Sequence, residues 1–207
     1  MASHNPALWL IAGPNGAGKT TYAFRHVRAV SGSVHFVNLD EIARGISPLA
    51  PDAAPRTAAR VALERIGELM DERKSFSIET TLAGLTHLQT IKRARSSGYA
   101  INLLYFSVRE VETCLARIAR RVSEGGHDVP SVDVRRRFTR SLANFPRYAA
   151  TVDLWRVFDN QQIKPTVAAE GRMGCVSVKG DMSGLPAVLV AHLAAIPPCD
   201  EAVAAKN

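Results

Sequence analysis

The stretch GPNGAGKTT, residues 13–21, follows directly on the apolar run ALWLIA, residues 7–12. No other feature limits the fold as tightly. Gly13, Gly18, Lys19 and Thr20 fit the pattern GxxxxGK[ST], a loop whose glycines bring backbone N–H groups against phosphate oxygens. The pattern demands a buried strand before it and a helix after it. The helix N-terminus then adds positive potential to the cradle. Both flanks are present, so Gly13, Pro14, Asn15, Gly16, Ala17, Gly18, Lys19, Thr20 and Thr21 are expected to surround a phosphate chain. Lys19 would reach the outer phosphates, and the Thr20 hydroxyl would face a magnesium ion.

The rest of the chain alternates strand-like and helix-like segments. Strands are expected in SVHFVN (33–38), SFSIET (75–80), YAINLLYFSV (99–108) and VDLWRVFDN (152–160). Helical spacing fills most of the intervals, notably RTAARVALERIGELMDERK, EVETCLARIARRVSE and SVDVRRRFTRSLANF, the last with Ser131 as its N-cap. KPTVAAEGRMGCVSVKG reads as a hairpin turning at EGRMG, and PAVLVAHLAAI as a closing helix. Alternation of this kind implies βαβ units around a mostly parallel sheet covered on both faces. One α/β domain over residues 1–207 is expected, with a lid at about 117–140 and a C-terminal hairpin and helix at about 164–196.

The 207 residues carry a net charge of +7, which suits nucleic acid, an anionic surface or a polyphosphate ligand. Seven arginines between Arg117 and Arg140, beside the phosphate loop, favour the polyphosphate. Aromatic residues make up only 6%, and none forms a stacking platform among the basic ones, so nucleic acid ranks lower. Three scattered cysteines, Cys114, Cys175 and Cys199, argue against a disulfide framework or a zinc site, and so for a reducing cytoplasm. The first residues lack the basic region of a signal peptide, no run is long enough to span a bilayer, and the tail CDEAVAAKN is expected to fray.

Two acids stand at expected strand ends, where a parallel sheet opens its ligand crevice. Asp40, after VHFVN, is either the base that receives an acceptor hydroxyl's proton or an N-cap for the following helix. Glu79, followed by Thr80 and Thr81, would contact an acceptor hydroxyl or a metal-bound water, or else lie on the surface. Glu41 reads as first-turn charge. The arginines flank a Gly125–Gly126 break, as a closing lid over a triphosphate requires. Arg117 with Arg120 or Arg121, and Arg136 or Arg137 with Arg140, share helix faces. His127 reads as a hydrogen-bonding residue of the hinge. A guanine-reading NKxD is absent, and SFSIE and LWRVFD match a motor-type acid motif only in part. Transfer of the phosphate therefore leads over hydrolysis or switching.

In order, GPNGAGKTT, VNLDEIA, SFSIETTLAG, GYAINLLYFSV, LARIARRVSEGGHDVP, RRRFTRSLANF and VDLWRVFDN resemble the zeta-toxin-like kinases, over about residues 7–170. GGHDVP is the form of compact chromosomal members. The resemblance implies a three-layer P-loop kinase-like fold, ATP with Mg²⁺ as donor, and UDP-N-acetylglucosamine as acceptor. It implies Asp40 as base, Glu79, Thr80 and Thr81 at the acceptor, and Thr20 at the metal. Arg120 or Arg121 and Arg136 or Arg137 would be lid arginines, and Asp159 and Asn160 would lie near the nucleotide base. A separate antitoxin protein is an implied partner. Other acceptors (a nucleoside, another sugar, a polynucleotide 5′-hydroxyl) and a slowly hydrolysing nucleotide switch are the alternatives.

Overall fold

The computed structural model describes residues 5–50, 53–162 and 164–199. Pro51 and Asp52, and residues 200–207 of the tail, fall outside that description. Seven strands form one sheet in the order β2-β3-β1-β4-β5-β6-β7. Strands β1 (Ala7–Ala12), β2 (Phe36–Val37), β3 (Phe76–Thr80), β4 (Ala100–Ser107) and β5 (Leu154–Asp159) are parallel, while β6 (Thr166–Arg172) and β7 (Cys175–Lys179) add an antiparallel hairpin. The helices are α1 (Lys19–Ser31), α2 (Leu39–Ile46), α3 (Pro55–Asp71), α4 (Thr86–Ser96), α5 (Val111–Ser123), α6 (Ser131–Ala149) and α7 (Ala187–Ala195). This is an α/β fold with a mostly parallel sheet, of the P-loop kinase-like kind.

The unalternating apolar runs are explained by burial on both faces. Leu10, Leu103, Tyr105 and Val157 point into the larger core, shared with α3, α4, α5, α6 and α7. Their chain neighbours Ile11, Leu104, Phe106 and Phe158 point the other way, onto Ala23 and Val27 of α1. Phe106 and Phe158 stack there with ring centroids 4.8 Å apart.

Four local expectations differ from the structure. Strand β2 keeps only Phe36–Val37, because Ser33 turns its hydroxyl to the Ser75 carbonyl and to His35 N–H instead of extending the ladder. Pro130, not Ser131, caps α6, since its φ of −51° already sets the entry. Helix α6 also runs on through Pro146 to Ala149, because buried Phe145, Tyr148 and Ala149 hold its last turn against the core. The fourth correction concerns sulfur. Cys175 and Cys199 form a disulfide. The chain after α7 returns beside β7, with Val176 N–H donating to Pro197 O and Cys199 N–H to Val176 O, and this brings the two cysteines together. Cys114 is free and buried. Among the described residues no helix is long and apolar enough to cross a membrane.

Candidate active site at the phosphate loop

The loop leaves the carboxyl end of β1, where the neighbouring register sets its surroundings. Ile11 pairs with Glu79 and Ala12 with Thr80, so the end of β3 lies beside the loop. Two glycines are needed for shape. Gly13 has φ 135°, and a Cβ there would overlap the Phe106 carbonyl. Gly18 caps α1 with φ 90°, and a Cβ would overlap the Asn160 amide. That amide donates to Ala17 O at 2.6 Å, so Asn160 braces the loop from behind. Its place is against the loop backbone. Asp159 accepts from Gln161 N–H at 2.8 Å, which fixes the turn that presents Asn160. Pro14 and Ala17 are buried, and Thr21 is exposed.

Lys19 is buried and donates from Nζ to Pro14 O at 2.8 Å. Its ammonium is 4.0 Å from Glu79 Oε1. The same carboxylate accepts from the Thr20 hydroxyl at 2.8 Å and from Asn38 Nδ2 at 2.9 Å. Burial pushes the Glu79 carboxyl above its usual range, against the opposing pull of Lys19 and Thr20. Burial likewise pulls the Lys19 ammonium below its own, with Glu79 opposing. Burial thus shifts both groups toward their neutral forms.

Asn38 is a site residue that sequence reading missed. Its Oδ1 accepts from Asp40 N–H at 2.8 Å and Glu41 N–H at 3.2 Å, capping α2. The cap reading of Asp40 therefore gives way: Asn38 does that work, and the exposed Asp40 lines the cavity instead. Asn before an acidic helix start was the signal available in the sequence.

Next to the loop lies a cavity of about 680 Å³. Asn15, Lys19 and Arg137 line it on the loop side, and Asp40, Thr80, Thr81 and His87 on another, with the 127–130 hinge above. The structure also separates the arginines within each pair. Arg137 is half-buried and donates to Asn15 Oδ1 at 3.4 Å, whereas Arg136 turns out to Asp133 at 2.7 Å. Arg121 donates to His127 O at 2.6 Å across the hinge, whereas the side chain of Arg120, 78% exposed, leans toward Glu124. Arg120 and Arg136 are thus not brought to the loop, because each sits one helical position off the inward face and meets an acid on its own helix. Arg117 donates to Asn160 O at 2.8 Å, tying α5 to the loop's brace.

A phosphate loop at the head of a parallel sheet, with Lys19, Glu79 and Thr20 clustered beside it and two arginine-bearing helices, α5 and α6, alongside, has the fold of the P-loop kinase-like class. The AAA domain family model (AAA_33) matches residues 8–147, and the chain belongs to that family. A protein of Haemophilus influenzae described only as uncharacterized is 33% identical over 126 residues, covering 61% of this chain and 88% of that protein. Among solved structures, the AvrRxo1-ORF1:AvrRxo1-ORF2 complex with sulphate ions is similar with a TM-score of 0.68 at 17% identity, over 85% of this chain and 61% of that one. The same complex with ATP has a TM-score of 0.65 at 17% identity, again over 85% and 61%. The chain thus spans about three-fifths of those relatives' length. The PezAT chromosomal toxin–antitoxin system of Streptococcus pneumoniae gives 0.64 at 15% identity, over 82% of this chain and 73% of that one. At these identities the likenesses establish the fold.

Proposed function

We propose that this protein is an ATP-dependent phosphotransferase acting on a hydroxyl of a small molecule. One observation carries the reading: the cavity that touches Lys19 and Asn15 continues to a carboxylate, Asp40, and to the hydroxyls of Thr80 and Thr81. Hydrolysis needs no second chamber beside the phosphates. Transfer does, and it needs water kept out while the chamber is filled. The similar complex with ATP, and the loop itself, support ATP as donor.

The reaction balances simply. The acceptor oxygen bonds to the γ-phosphorus, the bond from that phosphorus to the β-phosphate bridging oxygen breaks, and ADP leaves. The hydroxyl proton passes to Asp40. Positioning dominates such a transfer, so an ordinary carboxylate serves. Lys19 and Arg137 neutralise the oxygens of the moving group. The oxygens of Thr20 and Glu79 suit Mg²⁺, which Thr20 would hold directly and Glu79 through water. When bound, the ion would supply charge neutralisation to the phosphate oxygens.

The resemblance names UDP-N-acetylglucosamine as acceptor. It is the reference compound for testing, beside a free sugar, a nucleoside and a polynucleotide 5′-hydroxyl. A separate antitoxin is a proposed partner, in line with the toxin–antitoxin assembly among the similar structures. The ATP donor supports the cytoplasm as the proposed compartment, while the Cys175–Cys199 disulfide removes the cysteine-based reason for it. With any working acceptor, Asp40→Asn should lower kcat on the order of 10²-fold or more in a coupled ADP-release assay. A variant with undiminished acceptor-dependent turnover would remove Asp40 from the mechanism. For a nucleotide switch, ADP release would ignore both acceptor and mutation.

A pH effect follows from Glu79. Its carboxyl is raised in the folded protein, so folding favours the protonated form, and the site's contribution to stability falls as pH rises through that pKa. Metal-bound nucleotide needs the anion. Binding should therefore release a proton increasingly as pH drops toward the raised pKa, and should weaken below it. Calorimetry in buffers of different ionisation enthalpy reads this release directly. Glu79→Gln should abolish the pH-dependent part; its persistence would point to another group.

A further inference from the structure

The acceptor's chemical class is legible in the charge of the cavity wall. This rests on the phosphotransferase reading and narrows it. The cations lining the cavity among the described residues are Lys19 and Arg137. Both are engaged on the loop side, Lys19 with Pro14 O and Glu79, Arg137 with Asn15. A bound triphosphate would claim them fully. Of the arginines near the cavity but outside its lining, Arg136 pairs with Asp133 and Arg44 with Glu41 at 2.9 Å, while Arg121 donates to His127 O.

The remaining wall is acidic and hydroxylic. Asp40 and Asp128 line it with no ion pair among the described residues, and Asp128 Oδ1 accepts its neighbour's Val129 N–H at 2.7 Å. Thr80 and Thr81 each accept a backbone N–H, from Leu82 at 3.2 Å and Ala83 at 3.4 Å. Each hydroxyl proton therefore remains free to donate outward. His87 completes this side: its Nδ1 is buried without a hydrogen-bond partner among the described residues, and burial favours the neutral imidazole. Carboxylates that accept, hydroxyls that donate and a neutral imidazole recognise ligand hydroxyls and amines. A second phosphate chain would need arginine or lysine, and would face Asp40 and Asp128.

We infer that the acceptor is itself free of phosphate: an uncharged or cationic polyhydroxylated molecule, such as a free sugar, amino-sugar or nucleoside, held by Asp40, Asp128, Thr80, Thr81 and His87. The sugar part of the reference acceptor fits this wall, and its diphosphate does not.

The test compares matched compounds differing in the phosphate. Glucosamine, N-acetylglucosamine and UDP-N-acetylglucosamine form one set, uridine and UDP the other. Each is titrated calorimetrically into full-length protein loaded with Mg²⁺ and a non-hydrolysable ATP analogue. In at least one set, an unphosphorylated member should bind about tenfold or more tighter than its diphosphate counterpart. Asp128→Asn, a surface change that keeps the Oδ1 acceptor, should narrow that gap. Tighter or equal binding of the diphosphates overturns the inference, as does no binding by any unphosphorylated member or a gap that ignores Asp128→Asn. ADP release measured on the same panel separates the two readings. Binding of the free sugar or nucleoside without turnover sinks transfer and keeps the class. Turnover confined to UDP-N-acetylglucosamine sinks the class and keeps transfer.

Discussion

Arg137→Ala is expected to lower kcat by about 10³-fold or more, the scale on which an arginine acts when it steadies a transferring phosphoryl group. The neighbouring change Arg136→Ala should alter kcat by less than about threefold, because an exposed ion pair such as Arg136–Asp133 contributes little. The contrast rests on one helical step. Position 137 turns its guanidinium toward Asn15 of the phosphate loop, half-buried, and position 136 turns outward. Lysine at 137 should restore only part of the rate, since it keeps the charge and loses the planar fork. Single-turnover kinetics at saturating ATP would separate the chemical step from nucleotide binding. Equal losses at 136 and 137 would mean that α6 rolls when ligands bind and that the inward turn of Arg137 is not the reactive arrangement.

The second large effect is on stability. Trp155→Ala should cost about 3–5 kcal/mol, as is usual for deleting a large aromatic from a packed core. At roughly 2–4 °C per kcal/mol for a chain of this size, the melting temperature should drop by about 6–20 °C. The indole is fully buried and meets Phe145 edge-on, with centroids 5.7 Å apart. On its other side the backbone of Gly171, in the β6–β7 hairpin, lies against the ring and cannot collapse into the space left. Trp155 Nε1 has no hydrogen-bond partner among the described residues. Trp155→Phe therefore sacrifices packing but no polar contact, and should cost much less than alanine. Calorimetric melts of the two variants would check the ranking, and similar losses would show that the hairpin can repack.

The sequence made the phosphate loop and the parallel core plain, and physical reasons explain where it fell silent. GPNGAGKTT is a local device: its shape depends on its own glycines and on the strand before it. The two-faced burial of ALWLIA and YAINLLYFSV was likewise written in their lack of alternation. The capping role of Asn38 was open to reading, but its tie to the site was not, because that comes from Glu79, 41 residues away, to which it donates. The choice between Arg136 and Arg137 depended on the roll of α6 against the core, which an arginine run does not encode. The disulfide was missed for a similar reason. Cys175 and Cys199 are 24 residues apart with no spacing motif, and only the return of the chain along β7 brings them together. The helix read over SVDVRRRFTRSLANF runs on through Pro146, because burial of the following turn overrides the proline.

Helix α6 carries a mechanical consequence. Its 19 residues extend about 28 Å. Arg137 sits in its first half. The second half is bolted to the loop between β3 and α4, with Asn144 Nδ2 donating to Leu82 O and the Tyr148 hydroxyl to Gly84 O, both at 2.8 Å. That loop leads from Thr80 and Thr81 into His87. The guanidinium and the floor beneath the acceptor therefore belong to one stiff jig, with their spacing set when the chain folds. Motion at Gly125 and Gly126 can shift α5 and the hinge, but it leaves this gauge unchanged. A molecule offered to the chamber is measured against a fixed ruler: one whose hydroxyl falls short of the loop, or overshoots it, gains nothing from closure.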